Sequence, residues 1–340
     1  MSVYRSIACI SARSTILFRP QRFITPFIRT MATIPNGDLN NTSAERVRAE
    51  IAIDPAYQHL SLAIPPSDDD AEIRKLYRPF ILEGDDAEQD WVSQLELSTV
   101  LRMVDTQVLQ RGDDRLRVVV LYGSMRQRSY SRLLAYEASR VLFRLGCDVR
   151  IYDPTDLPVK DDVQHTHPKV QELRDLSKWS DGHVWICPEQ HGTLTAVFKN
   201  QIDWIPLSTG SVRPTQGRTL AIAQVNGGSQ SFNTVNSLRI LGRWMRMFVI
   251  PNQSSIPMAY KQFTEEDAGS RLMPSGNRDR LVDCMEEFVK YTIVTRPHFD
   301  LFGDRYSERE EKRAKQAKEV NKPAPDTQHA ALSTSAGPSN

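Results

Sequence analysis

Three short segments rich in hydroxyl, glycine and charged residues each follow an apolar run of the sequence. They read GSMRQRSYS at residues 123–131, PEQHG at residues 188–192 and NGGSQSF at residues 226–232. Hydroxyls and backbone N–H groups ahead of a helix favour an anion such as phosphate, and Arg126 or Arg128 could add a charge-assisted contact to it. A loop bounded by proline and glycine exposes backbone groups that suit the edge of a flat ring, and paired glycines let the backbone approach a ligand closely. Together the three segments predict a pocket for a phosphate and an attached ring.

Each segment also has a purely structural interpretation. In the first, Ser129 or Ser131 would only cap the following helix. In the second, His191 would be a solvent-facing loop histidine, and in the third, Gly227 and Gly228 would form a tight strand-to-helix turn. Neither G-x-G-x-x-G nor G-x-x-x-x-G-K-[ST] occurs in the first segment, which argues against a Rossmann dehydrogenase or an NTPase. A ligand pocket therefore requires that the three segments meet.

Apolar runs alternate with amphipathic segments around these loops, and this alternation indicates βαβ units and a parallel sheet covered on both faces. Five strands fit the flavodoxin-like order 2-1-3-4-5, in which ligands bind beyond the carboxyl ends of the strands. The sequence therefore predicts an α/β fold whose three loops converge on a site for flavin mononucleotide (FMN). Strands are predicted at 116–122, 147–152, 182–187, 219–225 and 247–250, and helices at 129–145, 168–178, 196–205, 232–245 and 277–294.

Composition excludes several other classes of protein. Lys and Arg number 43 against 42 Asp and Glu, so no basic excess points to a nucleic-acid partner. No apolar run has the length needed to span a bilayer, and no membrane association is expected. The four cysteines, Cys9, Cys147, Cys187 and Cys284, are scattered, which indicates a reducing compartment. Cys147, Cys187 and Cys284 lie in apolar segments and are predicted to be buried structural thiols. The pair at His165 and His167 could bind a metal, but a polar loop is the favoured interpretation, and no metal site is expected.

The 340 residues divide into four parts by composition. The first part lacks Asp and Glu and mixes arginine with serine and apolar residues, which is typical of a mitochondrial transit peptide. The alternatives are that this part is a disordered segment or that translation begins at Met31. The sequence therefore predicts a location in either the mitochondrial matrix or the cytoplasm. The parts are a targeting or disordered segment (1–37), an extended, mostly irregular N-terminal arm with short helices at 71–77 and 92–110 (38–115), a flavodoxin-like FMN-binding domain (116–303), and a charged then disordered tail (304–340).

Longer stretches of the sequence resemble a known family. They read GSMRQRSYSR, PEQHGTLTAVFKNQIDWIPLSTGSVRPTQGRTLA, NGGSQSFNTVNSLRILGRWMRM and IPNQSS, and they are followed by RYSERE at residues 305–310. These stretches are similar to the ArsH family, arsenical-resistance flavoproteins of the NADPH-dependent FMN reductase superfamily. The resemblance covers roughly residues 110–310 and so leaves the two ends of the chain outside it.

The resemblance implies a site in which the flavin carries the chemistry and no side chain is catalytic. Its first loop would hold the FMN phosphate, its second would follow the ribityl chain and ring edge, and its third would close the pyrimidine side. The cofactor-binding residues are then Ser124, Arg126, Ser129, Tyr130 and Ser131 in the first loop, Pro188, Glu189, Gln190, His191 and Gly192 in the second, and Gly227, Gly228 and Ser229 in the third.

The resemblance also implies a reaction and an assembly. NADPH would be the co-substrate, and electrons would pass to quinones, azo compounds, ferric iron or oxygen. As a resistance function, trivalent methylated arsenicals would be oxidised. The family is homotetrameric, with residues 243–246 in an interface; alternatively these residues only cap a buried helix. A non-enzymatic flavodoxin-like electron carrier or a flavin redox sensor remains the alternative function. Such carriers tend to be acidic, whereas this chain has a net charge of +1.

The first part of the chain generates a prediction of its own. A fluorescent protein fused to residues 1–37 should enter mitochondria, because transit peptides combine arginine and serine with an absence of acidic residues. A chain that begins at Met31 should remain in the cytosol. Microscopy of the two fusions measures this directly, and a diffuse cytosolic signal from the 1–37 fusion would contradict the targeting hypothesis.

Overall fold

The apolar runs in the middle of the sequence form the strands of a parallel sheet. The computed structural model describes residues 54–84, 87, 90–206, 214–303 and 305–320. The predicted targeting segment and the end of the tail lie outside these ranges. The strands are β1 (Arg117–Tyr122), β2 (Asp148–Tyr152), β3 (Gly182–Pro188), β4 (Thr219–Val225), β5 (Phe248–Val249) and β6 (Ser254–Ile256).

The strands pair in parallel in the order β2-β1-β3-β4-β5, which confirms the predicted topology. β5 pairs with the beginning of β4 and β6 pairs with its end, so the two short strands form one interrupted fifth strand. The interruption contains Pro251, which lacks the N–H group that a continuous ladder needs. The sequence pattern predicted only the first half of this strand, at 247–250.

The five helices predicted around the sheet are present, to within one residue at each end. The helix predicted at 92–110 is instead a 3-10 turn, a short helix and a π turn in succession. None of the described helices is long and apolar enough to cross a membrane. The helices are α1 (Ala71–Tyr77), α2 (Ser98–Val104), α3 (Tyr130–Arg144), α4 (Pro168–Trp179), α5 (Ala196–Trp204), α6 (Asn233–Trp244), α7 (Gly276–Thr295), α8 (Phe299–Gly303) and α9 (Tyr306–Val320).

Alternate residues of β1 belong to two different hydrophobic cores. Val118 and Val120 pack in the core that α3 and α7 cover, and Val119 and Leu121 pack in the core that α4, α5 and α6 cover. This division arises because successive side chains of a strand point to opposite faces of the sheet. Both faces are buried, which accounts for the continuous apolar run in the sequence of this strand.

The described part of the N-terminal arm packs more closely than an extended, polar arm would. Val100, Leu101 and Val104 of α2 are fully buried in the core that α3 and α7 share. These residues repeat at helical spacing, so one face of α2 is apolar although the surrounding segment is polar. At the end of α3, Arg144 donates hydrogen bonds to the carbonyl oxygens of Leu60 and Leu95. The described part of the arm therefore contributes to the hydrophobic core on this face of the sheet.

A buried ion cluster joins α3 to two segments outside the sheet. Glu137 of α3 is fully buried, and its carboxylate accepts hydrogen bonds from Nε of Arg271 at 2.8 Å and the backbone N–H of Leu272 at 3.0 Å. Arg271 also pairs with Asp90 of the arm. Burial opposes the charge of Arg271, but the hydrogen bonds to Glu137 and Asp90 prevail and raise its pKa above the usual value. The cluster holds the arm and residue 271 against α3.

Removing the carboxylate at the centre of this cluster should destabilise the fold. Glu137→Leu should lower the free energy of unfolding by about 3–5 kcal/mol, because Arg271 loses a buried ionic partner and the backbone N–H of Leu272 loses its acceptor. Asp175→Ala is the matched control, since Asp175 and Lys178 form an exposed pair of the kind that contributes little. Urea unfolding measures both variants. Equal, small losses would show that the Glu137 cluster does not stabilise the fold.

Candidate functional site

The carboxyl ends of β1, β3 and β4 open into one cavity of about 580 Å³. All three predicted loops contribute to its walls, so the convergence expected from the parallel sheet is present. Four predicted residues, His191, Gly192, Gly228 and Ser229, do not line the cavity. The nine predicted residues that line it are Ser124, Arg126, Ser129, Tyr130, Ser131, Pro188, Glu189, Gln190 and Gly227.

One end of the cavity is formed by the start of α3. Ser129 is the N-cap of this helix, and its hydroxyl accepts a hydrogen bond from the backbone N–H of Arg132 at 3.2 Å. The Ser129 and Ser131 hydroxyls lie 3.1 Å apart, and both side chains are buried in the cavity wall. The capping interpretation of Ser129 is thus correct, and it places two hydroxyls beside the positive end of a helix dipole. This end of the cavity suits an anion.

The two arginines of the first loop have different surroundings. Arg128 donates a hydrogen bond from Nη2 to the carbonyl oxygen of Thr264 at 2.8 Å and lies 3.5–3.7 Å from the carboxylates of Glu265 and Glu266. Within the ranges that the structure describes, the Arg126 guanidinium makes no hydrogen bond or ion pair. Its backbone N–H is bonded to the Ser124 hydroxyl at 3.3 Å. Arg126 is therefore the cation of this loop that can pair with a bound anion.

The first two loops touch at Gly123. A Cβ atom at this position would lie 2.9 Å from Cδ of Pro188 and 3.0 Å from Oγ1 of Thr195, which is closer than real Cβ contacts allow. The Thr195 hydroxyl also donates a hydrogen bond to the carbonyl oxygen of Gly123 at 2.7 Å. Glycine fits here because side-chain atoms of Pro188 and Thr195 occupy the space that a Cβ atom would need.

Glu189 connects the second loop to the third. Its Oε2 accepts hydrogen bonds from the Ser231 hydroxyl at 2.6 Å and from Nε2 of Gln224 at 3.1 Å. The buried Gln224 side chain also accepts a hydrogen bond from the backbone N–H of Val235, near the start of α6. One oxygen of the predicted ligand residue Glu189 thus braces the two loops.

The turn after Glu189 points His191 away from the cavity. His191 and Gly192 have φ angles of +51° and +74°, in the left-handed region. Gln190 and Thr193 close the turn through two backbone hydrogen bonds of 3.0 and 3.2 Å. The His191 side chain is exposed, and one of its ring nitrogens lies 3.1 Å from Nε2 of Gln190. The structural interpretation of His191 as a solvent-facing residue agrees with this geometry.

The third loop presents open backbone beside the cavity. A Cβ atom at Gly227 or Gly228 would meet nothing within 4 Å, so packing against other residues does not explain either glycine. The Asn226 amide shapes the turn by donating hydrogen bonds to the carbonyl oxygens of Gly228 at 3.2 Å and Ser229 at 2.6 Å. A ligand that lies against this backbone would account for the two glycines.

Sequence reasoning did not assign several residues of the cavity wall to the site. Thr195 could have been found, because it caps α5 as a Thr placed just before a helical pattern often does. Ala259 and Tyr260 follow the second half of the interrupted fifth strand, which the sequence pattern did not reveal. The residues not assigned to the site are Gly123, Met125, Thr195, Val197, Val225, Asn226, Ala259 and Tyr260, and Arg128 was considered only as an alternative to Arg126.

The described cysteines are buried thiols, as the sequence predicted. Burial raises the pKa of the Cys147 and Cys284 thiols to about 12 and that of the Cys187 thiol to about 11. Cys9 lies outside the described residues. None of the three described thiols is therefore a thiolate at neutral pH, and none is exposed to bind a soft metal or metalloid.

The histidine pair at 165 and 167 has a structural role. Nδ1 of His167 accepts a hydrogen bond from the backbone N–H of Lys169 at 3.3 Å and so caps α4. Nδ1 of His165 lies 3.2 Å from Nη2 of Arg174. In the part of the chain that the structure describes, no three His, Cys, Asp or Glu residues cluster as metal ligands.

Comparisons with known proteins identify the family of this chain. The family model described as NADPH-dependent FMN reductase matches residues 116–261, which include all three loops. The protein of Rhizobium meliloti named NADPH-dependent FMN reductase ArsH is 56% identical over 216 residues, which cover 63% of this chain and 88% of that protein. Proteins of the same name from Acidithiobacillus ferrooxidans and Shigella flexneri are 52% and 57% identical, with 65% and 57% of this chain covered and 94% and 75% of theirs. The chain belongs to the ArsH family of NADPH-dependent FMN reductases.

Proposed function

We propose that this protein is an oxidoreductase that takes electrons from NADPH and passes them, through bound FMN, to small-molecule acceptors. The observation that carries the proposal is the cavity at the strand ends to which all three loops contribute. One of its ends combines two serine hydroxyls with a helix N-terminus and with Arg126, whose guanidinium has no partner among the described residues, and the other presents open glycine backbone. This pairing of an anion site with a surface for a flat group suits FMN. The relatives named NADPH-dependent FMN reductase support the same assignment.

The side chains have positioning roles in this proposal. FMN, when bound, supplies the hydride and electron chemistry itself. Ser129, Ser131 and Arg126 neutralise and orient the phosphate, and Ser124 fixes the backbone of the same loop. The Glu189 brace and the Gly227 backbone form the opposite part of the cavity.

The class of electron acceptor is proposed from the family and not from residues that would bind an acceptor. Quinones, azo compounds, ferric iron and oxygen are the proposed acceptors, and oxidation of trivalent methylated arsenicals in the presence of oxygen is the proposed resistance function. The name ArsH of the relatives is consistent with that role. The buried described thiols favour an arsenical that reacts at the flavin cavity over one that binds cysteine.

A homotetramer is proposed as the assembly. Ile240, Trp244 and Phe248 are large apolar side chains with exposures of 61%, 62% and 44%, and they lie on neighbouring turns of α6 and in β5. Exposed apolar residues grouped in this way mark surfaces that other proteins cover. Light scattering measures the assembly, and a mass of 38.7 kDa, that of a single chain, would contradict it.

The location in the cell also remains a proposal. Residues 1–37 have the composition of a transit peptide, which supports the mitochondrial matrix, and a start at Met31 supports the cytoplasm. NADPH and a reducing environment occur in both, and the buried described cysteines suit either.

The phosphate loop generates a binding prediction. Arg126→Ala should weaken FMN binding by about 1–3 kcal/mol, since a hydrogen bond to a charged group contributes that much. Titration of apoprotein with FMN, followed by flavin fluorescence, measures the affinity. Arg280→Ala, which removes an exposed arginine of α7 outside the cavity, should bind FMN like the wild type. Equal affinity of the Arg126 variant and the wild type would remove Arg126 from the site.

The cavity shared by the three loops generates a kinetic prediction. NADPH and a quinone should give parallel double-reciprocal plots, because two half-reactions that share one site take place in turn. Steady-state rates measured over a grid of both concentrations test this. Intersecting plots would show that both substrates bind together. If the FMN-loaded protein does not oxidise NADPH at all, an electron carrier or sensor would be the remaining function.

A further inference from the structure

The segment of residues 256–264, which we call the strap, runs from the third loop to the first. At its beginning, the backbone N–H of Met258 donates to the carbonyl oxygen of Gly228 at 2.9 Å. The next N–H, of Ala259, donates to the carbonyl oxygen of Asn226 at 3.0 Å. These hydrogen bonds fasten the strap to the glycine turn that lies beside the cavity.

The end of the strap is fastened to the phosphate loop. Its last carbonyl, that of Thr264, accepts the hydrogen bond from Nη2 of Arg128 at 2.8 Å. The ring of Phe263 packs against the ring of Tyr130, with 5.7 Å between the centroids. The strap therefore connects the two loops proposed to hold opposite ends of FMN, and the middle of the strap lies along the cavity between them.

The backbone of the strap is held in a conformation that non-glycine residues avoid. Met258 has φ +44° and ψ 49°, in the left-handed region, which is unfavourable for a residue with a side chain. The hydrogen bonds to the third loop hold this conformation. It leads directly into the single turn Ala259–Lys261, whose middle residue is Tyr260.

Tyr260 is an aromatic side chain on the cavity wall that the core does not use. It lines the cavity while 51% of the residue remains exposed. The other aromatic residue of the described cavity wall, Tyr130, already packs against Phe263 and lies beneath the Arg128 guanidinium. Nζ of Lys261 lies 5.6 Å from the centroid of the Tyr260 ring, but among the described residues no aromatic ring packs against Tyr260 as Phe263 packs against Tyr130, which leaves a face of the Tyr260 ring for a ligand.

We propose that Tyr260 contacts bound FMN and provides the surface against which its flat ring lies. This inference rests on the proposed function and adds a residue to it. Aromatic rings attract one another in offset or edge-to-face arrangements, beyond the area that they bury. The glycine turn offers backbone groups to the edge of the ring, and Tyr260, fastened to that turn, offers a face. The strap then links the position of this face to the third loop and to the phosphate loop.

Three substitutions at Tyr260 separate ring contact from a structural role. A tyrosine or tryptophan ring against a flavin quenches its fluorescence by electron transfer, whereas phenylalanine quenches little. Tyr260→Trp should therefore keep both FMN affinity and quenching, and Tyr260→Phe should keep the affinity while bound FMN becomes brighter. Tyr260→Leu should lose quenching and bind FMN roughly three- to tenfold more weakly, the range expected for an aromatic pair. Tyr306→Leu, at an exposed tyrosine outside the cavity, is the control and should match the wild type.

The outcomes distinguish failure of this inference from failure of the proposed function. A wild-type chain that does not bind FMN in the titration would overturn the proposed function and the role of Tyr260 with it. A wild-type chain and a Tyr260→Leu chain that bind FMN with equal affinity and equal fluorescence would overturn the role of Tyr260 alone. A Phe variant that is as strongly quenched as the wild type would also contradict contact between the Tyr260 ring and the flavin.

Discussion

The parallel direction of the strands brings loops that are distant in sequence to one edge of the sheet, and hydrogen bonds between those loops hold the cavity open. Thr195, which follows the second loop, donates a hydrogen bond to Gly123 of the first, and Ser231 of the third loop donates one to Glu189 of the second. The strap completes the arrangement by joining the third loop to the first. The ligand-facing groups are therefore placed by contacts between loops, and the sheet provides the rigid base.

The sheet and most of its helices could be predicted from the sequence because each carries a periodic apolar pattern. The apolar run from Val118 to Leu121 is typical of a buried strand, and the apolar stripe along α7 is typical of an amphipathic helix. The interrupted fifth strand could not be predicted beyond Pro251, because β6 is too short for a pattern to appear. The apolar face of α2 was likewise obscured, because it occupies a short helix in a polar segment.

The site was predictable in outline but not in the roles of individual residues. The three loops were recognisable from their composition and their position after strands. That Arg128 is paired and Arg126 is not, among the described residues, could not be recognised from the sequence, because the partners of Arg128, Glu265 and Glu266, are distant in sequence. Tyr260 had no sequence pattern to identify it, since it lies after an unpredicted strand. The role of His191 in the turn and the role of Glu189 as an acceptor between two loops also depend on neighbours that only the folded chain brings together.

The account of function requires that this cavity holds FMN and that NADPH reduces it there. The most direct measurement is the visible absorption spectrum of the purified protein, recorded before and after anaerobic addition of NADPH. The account predicts flavin absorption bands that bleach on addition of NADPH and return when a quinone or oxygen is admitted. A protein that binds FMN but keeps its visible spectrum unchanged in excess NADPH would contradict it.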